Sequence, residues 1–339
     1  MTDQQWLDLL RVLDGELLTP LPVGLIIDSP WLPGWAGMSI LDYFTSERLW
    51  LEANLRAVRQ FPSVMFLPGF WSEFGMCTEP SAFGARCIFP DNEFPFAEKV
   101  MHDYADVARV KKPSCRTDGL LPMVIKRLAH CQAEIERAGH AIRFAVARGP
   151  LNIASFLLGH TEMLMGIKTD PEEIHQLLAI ITEFLVDWLQ YQAATFPTID
   201  GILVLDDLIG FLGEKDFQAF AIPYFQQISA AMKVRVKALH NDAQGMITAR
   251  HLAEMGFNLF NFSFEHRLDV VRQAAGESVT LLGNIPPRDV LAGGTPDDVR
   301  RSVAESLAPL ADRRRLILSC GGGTPPGVTT ENIEALAAG

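Results

Sequence analysis

Eight short apolar runs, rich in β-branched residues, punctuate this chain, and longer stretches of helical spacing separate them. They lie at 22–28, 63–68, 142–147, 201–206, 234–240, 257–262, 278–283 and 315–319. Near-continuous apolar runs read as strands covered on both faces, and their alternation with helices is the mark of a parallel sheet. The first and last runs are nearly a whole chain apart, so a closed (β/α)8 TIM barrel uses every strand without leaving an edge. A doubly wound open sheet is the alternative.

Helix starts are written into Asp170-Pro171-Glu172-Glu173 and Thr295-Pro296-Asp297-Asp298, each a cap residue, a proline, then acids that favour a helix N-terminus. Apolar spacing predicts further helices over 39–60, 118–138 and 172–195. No Pro/Gly-rich linker divides the chain, so residues 1–339 are expected to form one α/β barrel domain. The longest irregular segment, 69–96, follows strand two and is expected to fold over the C-terminal face as a lid.

A composition of 48% hydrophobic and 21% charged residues suits an ordered globular protein. The net charge of −12 disfavours attraction to nucleic acid and to anionic membrane surfaces. No run approaches the roughly 18 apolar residues of a membrane span, and the acidic N-terminus is no signal peptide, so a cytoplasmic location is expected. The five cysteines are unevenly spaced and include no C-x-x-C, which points to free thiols or ligands rather than a disulfide framework.

Barrel enzymes take their reacting groups from the C-terminal ends of several strands, where the loops converge. Here those ends carry Asp28, Trp71 and Glu73, Arg148, Asp206 and Asp207, His240 and Asp242, Asn284, and Cys320. In an extended segment, the i, i+2 spacing of His240 and Asp242 places both on one side of the chain, as two ligands of one metal require. Cys320, followed by Gly321-Gly322-Gly323, would add a thiolate and complete a three-ligand zinc site with an open fourth position. A neutral hydrogen-bonded His240 and a buried Cys320 thiol are the alternative.

Of the two adjacent acids, one is expected to cap the next loop while the other faces the mouth. Asp206, as the strand's last residue, is assigned to brace His240 or bind substrate, with Asp207 also toward substrate. Arg148 offers either a carboxylate clamp or an internal ion pair with Asp206 or Glu73. Trp31, Trp35, Phe70 and Trp71 form either an aromatic wall for a ligand or core. Neither G-x-G-x-x-G nor a P-loop is present.

With these residues in view, the chain from about 20 to 336 resembles the uroporphyrinogen decarboxylase superfamily. The resemblance rests on Arg148-Gly-Pro-Leu-Asn-Ile-Ala-Ser with Gly159, Asp170-Pro171-Glu172, Pro223-Tyr224, His240-Asn-Asp, Gly283-Asn284-Ile-Pro-Pro, Gly322-Gly-Thr-Pro-Pro-Gly and Glu331-Asn332. It implies a (β/α)8 barrel with its site at the strand C-termini. True decarboxylases carry an arginine-rich segment after strand one that grips an acidic tetrapyrrole. Here that region reads Ile27-Asp28-Ser29-Pro30-Trp31-Leu32-Pro33, with no cation.

The other branch of the superfamily comprises corrinoid-linked methyltransferases, in which H-x-C and a later cysteine hold zinc. His240 matches that histidine. Asp242 replaces the H-x-C cysteine, and Cys320 falls about two positions before the expected late cysteine, whose place Gly322 takes.

The leading expectation is therefore methyl transfer to or from a small methylated compound or thiol. Zinc at His240, Asp242 and Cys320 would assist, and a corrinoid would be carried by a partner protein. In that reading His240, Asp206 and Asp28 are catalytic, Trp71, Glu73, Arg148, Asp207 and Asn284 contact substrate, and the 69–96 loop excludes water. A metal-free decarboxylase of a small or aromatic acid, with Asp28 or Asp206 handling the proton, is the second reading. A barrel that only binds a small molecule is the third.

Overall fold

The computed structural model describes residues 1–27 and 30–339. All eight apolar runs form strands, numbered here β1 Val23–Ile26, β2 Val64–Leu67, β3 Phe144–Arg148, β4 Gly201–Leu205, β5 Val236–Asn241, β6 Leu259–Phe262, β7 Thr280–Ile285 and β8 Leu316–Cys320. They pair in parallel in the order β2-β1-β8-β7-β6-β5-β4-β3.

Alternation along each strand separates two cores. Ile26, Met65, Leu67, Phe144, Leu203, Val236, Ala238, Leu259, Leu282 and Ile317, drawn from every strand, join one interior cluster. Their neighbours, such as Leu25, Phe66, Ala145, Val204, Leu239, Phe260, Leu281 and Leu318, pack in the second cluster with the helices. Shared filling by all eight strands is the packing of a TIM barrel. The N-terminal helix Asp3–Leu13 adds Trp6, Leu9, Val12 and Leu13 to the interior, and Trp6 lies edge-on to Phe144, so this helix plugs the end where β3 starts.

The ladder has a seam. Among the described residues β2 and β3 share the interior but no strand pairing, so the free edge of β3 needs other partners. The Gln192 side chain supplies them: Val146 N–H donates to Gln192 Oε1 at 3.0 Å, and Gln192 Nε2 donates to the Val146 carbonyl at 3.0 Å. Two residues on, Arg148 N–H donates to Glu79 Oε1 at 3.2 Å. Each buried backbone group left unmet would cost about 1–3 kcal/mol.

Glu79 belongs to the segment after β2, which carries the helix Thr78–Ala82 and a small hairpin of Cys87–Ile88 with Phe96–Ala97. It stands at the C-terminal ends of β2 and β3, with Phe74, Cys77 and Glu79 buried. The expected lid is thus in large part a packed wedge filling the seam.

The helix expected over 39–60 is two, Ile40–Thr45 and Glu47–Gln60, divided at Ser46, whose side chain caps the second by accepting from Leu49 N–H. Both cap-and-proline signals start helices, Pro171–Thr195 and Pro296–Leu307. Thr295 and Asp298 close a full capping box, whereas the Asp170 side chain makes no cap bond. Among the described residues no helix is long and apolar enough to cross a membrane.

Candidate functional site

Strand register brings two acids to one histidine. Leu205 of β4 lies beside His240 of β5, so the residues just past each strand, Asp207 and Asp242, meet at the mouth. The turn after β5 is tied by Asn241, whose Nδ2 donates to Thr248 Oγ1 at 2.8 Å and whose Oδ1 accepts from Ala243 N–H at 3.0 Å. Asp242 N–H in turn donates to Asp207 Oδ1 at 3.1 Å.

His240 is buried, with its Nδ1 2.7 Å from Asn261 Oδ1. Its Nε2 faces Asp207 Oδ1 at 3.7 Å and Asp242 Oδ2 at 3.9 Å. One ligand atom from each of these three residues lies within 4.8 Å of the other two. Bonds of about 2.1 Å to a tetrahedral zinc would set such atoms roughly 3.4 Å apart, so a small inward adjustment closes the set. Burial pushes the Asp207 carboxyl above its ordinary range, with the charge of Asp242 adding to the effect and His240 opposing it. Two carboxylates held this close are a place for a cation.

Two sequence assignments change here. Asp206, expected to brace His240, is fully buried and instead caps the helix Pro150–Leu158, with Oδ2 accepting from Leu151 N–H at 2.9 Å and Asn152 N–H at 3.3 Å. Gly149 must be glycine to admit it, since a Cβ there would sit 2.3 Å from Asp206 Oδ2. Asp207 takes the mouth-facing role because the chain turns directly after β4.

Cys320, expected as a third ligand, points its thiol at the Gly322 carbonyl at 3.3 Å and is fully buried. That burial pushes its pKa up to about 12, and among the described residues the thiol stands outside the Asp207, His240 and Asp242 group. Gly322, at the late-cysteine position, lies against Asp242. A Cβ there would be 2.8 Å from Asp242 Oδ2, so the carboxylate fills the space a side chain would need.

Burial raises the Asp206 pKa to about 8 from an ordinary 3.8. A carboxyl that holds its proton more tightly when folded stabilises the fold below pH 4, and that contribution is lost as pH rises through 8. Asp206→Asn keeps the acceptor for both N–H groups and never ionises. We expect it to match the wild type near pH 4.5 and to exceed it by on the order of a few kcal/mol at pH 8.5 in urea unfolding. Parallel stability-versus-pH curves would show that Asp206 is already ionised in the fold.

Arg148 is paired internally. Its Nη2 lies 3.1 Å from Glu73 Oε2 and its Nη1 3.6 Å from Glu79 Oε2, all three side chains being buried. Burial holds the Glu79 carboxyl above its ordinary pKa, opposed by Arg148. Trp71 joins the barrel interior, and its carbonyl accepts from Trp50 Nε1 at 3.1 Å. Asn284 Nδ2 donates to the carbonyl of His266 at 2.6 Å, bracing the turn after β6. Trp31 and Phe70 are core, with Trp31 stacked on Trp35. Asp28 lies outside the described residues.

Sequence reasoning passed over Glu79, Gln192 and Asn261. A polar Asn inside the apolar run of β6 was a signal for Asn261. Glu79 and Gln192 stand on a loop and a helix whose spacing says nothing of their partners.

Comparison with known proteins agrees with this architecture. The sequence model of the uroporphyrinogen decarboxylase family matches residues 8–338. A uroporphyrinogen decarboxylase from Thioalkalivibrio sulfidiphilus is 24% identical, over 97% of this chain and 95% of its own. Among solved structures, a methyltransferase from Methanosarcina mazei superposes with a TM-score of 0.81 at 20% identity, covering 97% of this chain and 96% of its own. A B12-independent methionine synthase from Shewanella superposes with a TM-score of 0.55 at 12% identity, over 94% of this chain and 97% of its own.

Proposed function

This chain belongs to the uroporphyrinogen decarboxylase family, and from that premise we propose that it is a metal-assisted methyltransferase rather than a tetrapyrrole decarboxylase. The observation that carries the proposal is the mouth itself: His240 Nε2 directed between two carboxylates, Asp207 and Asp242. That N/O donor set suits a divalent cation, and zinc is the candidate. When bound, zinc supplies a Lewis acid that polarises the heteroatom of a methyl donor or lowers the pKa of a thiol acceptor.

The protein's own residues supply the rest. His240, Asp207 and Asp242 would hold the metal. Asp206, through its cap on Pro150–Leu158, and Asn241, through its turn, position the two loops that carry the acids. Trp71 joins the apolar barrel interior, and the buried Glu73–Arg148–Glu79 cluster fills the seam beside it. The methyl group would pass to or from a corrinoid on a partner protein, in the cytoplasm, where five free cysteines stay reduced.

The names of the curated relatives favour decarboxylation as the second reading. A substrate with eight carboxylates needs several cations at the mouth. Residues 20–47 contain no Arg or Lys, and Arg148 is engaged by two glutamates. In a partly desolvated cavity each unpaired carboxylate is costly.

The test is one preparation and two assays. Protein purified without added metal should carry about one zinc per chain and methylate free cob(I)alamin from a panel of small methyl ethers and thioethers, with loss of turnover on chelation. It should form no coproporphyrinogen from uroporphyrinogen. Coproporphyrinogen formation at a rate comparable to an authentic decarboxylase would overturn the proposal.

A further inference from the structure

We infer that Asn261 locks the His240 imidazole in the tautomer that carries its proton on Nδ1 and leaves Nε2 bare toward Asp207 and Asp242. Asn261 lies on β6 directly beside His240 in the ladder and is buried. Its Nδ2 donates to the Leu282 carbonyl at 2.8 Å and to the Cys320 carbonyl at 3.3 Å. Carbonyl oxygens only accept, so the amide nitrogen must face them; turned over, Oδ1 would meet two other oxygens.

The amide orientation is therefore decided by β7 and β8, and it leaves Oδ1 facing His240 Nδ1 at 2.7 Å. An oxygen at that distance requires an N–H, so the ring proton sits on Nδ1. The contacts of Nε2 with the two acids, 3.7 and 3.9 Å, are too long for hydrogen bonds, so no bonded acceptor fixes a proton there, and in the neutral ring Nε2 is the bare nitrogen. A neutral imidazole binds a metal through its unprotonated nitrogen, and the group on the other nitrogen selects which one that is. One side chain thus ties β5 to β6, β7 and β8 and aims a lone pair into the mouth.

Asn261 is a positioning residue, and as a determinant of zinc affinity its role rests on the function proposed above; the tautomer itself does not. The test begins with the metal-stripped full chain, at a pH where the ring is neutral. The 15N shifts of the His240 ring, assigned by their loss in His240→Gln, should show a protonated Nδ1 and a bare Nε2. An Nε2-protonated ring in the wild type overturns the inference, whether or not any variant folds.

Asn261→Leu should move the proton toward Nε2 and weaken zinc binding by about 10- to 100-fold in competition with a chromogenic chelator. A variant that keeps both Nδ1–H and its zinc affinity also overturns it. Should the wild type bind no zinc while its tautomer responds to Asn261→Leu, the lock stands and the metal-assisted reaction falls.

Discussion

Replacing Arg148 with Leu is expected to destabilise the fold by about 3–5 kcal/mol at pH 7 to 8, the largest stability effect of any single change at the mouth. The guanidinium lies between the buried carboxylates of Glu73 and Glu79, and its own backbone N–H is held by Glu79. Leucine roughly conserves the apolar stem but removes the cation that lies between the two buried carboxylates, leaving Glu79 without its paired guanidinium. The Glu79 carboxyl then takes up a proton more readily to escape the cost.

Glu79 already sits above its ordinary pKa in the wild type because of burial, and loss of Arg148 raises it further. A group whose folded pKa is raised stabilises the fold below its unfolded pKa, and that contribution is lost as pH rises through the folded value. The deficit of Arg148→Leu should therefore shrink toward pH 5 and widen toward pH 8. Chemical denaturation at both pH values measures it. A deficit under about 1 kcal/mol, unchanged with pH, would mean the cluster is solvated and contributes as a surface pair does.

The second large effect is on metal and turnover. His240→Ala and Asp207→Ala should each drop bound zinc well below one per chain, since loss of one of three protein ligands weakens such a site strongly. Methyl transfer should fall by about 10³-fold or more, as expected when several kcal/mol of transition-state stabilisation are lost. Cys320→Ala should keep its zinc, because its thiol is turned to the Gly322 carbonyl and stands outside the Asp207, His240 and Asp242 group. Elemental analysis of the three variants separates the donor sets. Zinc lost from Cys320→Ala but retained in Asp207→Ala would restore the thiolate site and remove Asp207 from it.

The barrel was legible because its causes are local. Apolar runs such as 201–206 and 315–319 must be buried on both faces, and period-2 alternation divides each strand's residues between interior and helix layer. The helix starts at Pro171 and Pro296 were legible for the same reason, since proline and cap chemistry act within one turn. Ser46, which cuts the expected 39–60 helix in two, was also a local signal, outweighed by the apolar spacing on either side.

The sequence by itself thus determined the strands, their parallel arrangement, the end of the barrel at which the polar strand-end residues gather, and His240 with Asp242 as neighbours on one side of the chain. What only the tertiary structure decided is which of two adjacent acids turns inward and what each polar side chain meets. Asp206 caps a helix that begins after β3, Asp207 joins a histidine from β5, and Gly322, from the loop after β8, leaves the space that Asp242 fills. Glu79 and Gln192 matter because β2 and β3 share no ladder, and Asn261 because carbonyls from β7 and β8 orient its amide. Such partners are set by strand register and chain closure, across separations of twenty to more than sixty residues. Spacing in sequence reports which face a side chain takes, and only the closed barrel supplies the group that stands opposite it.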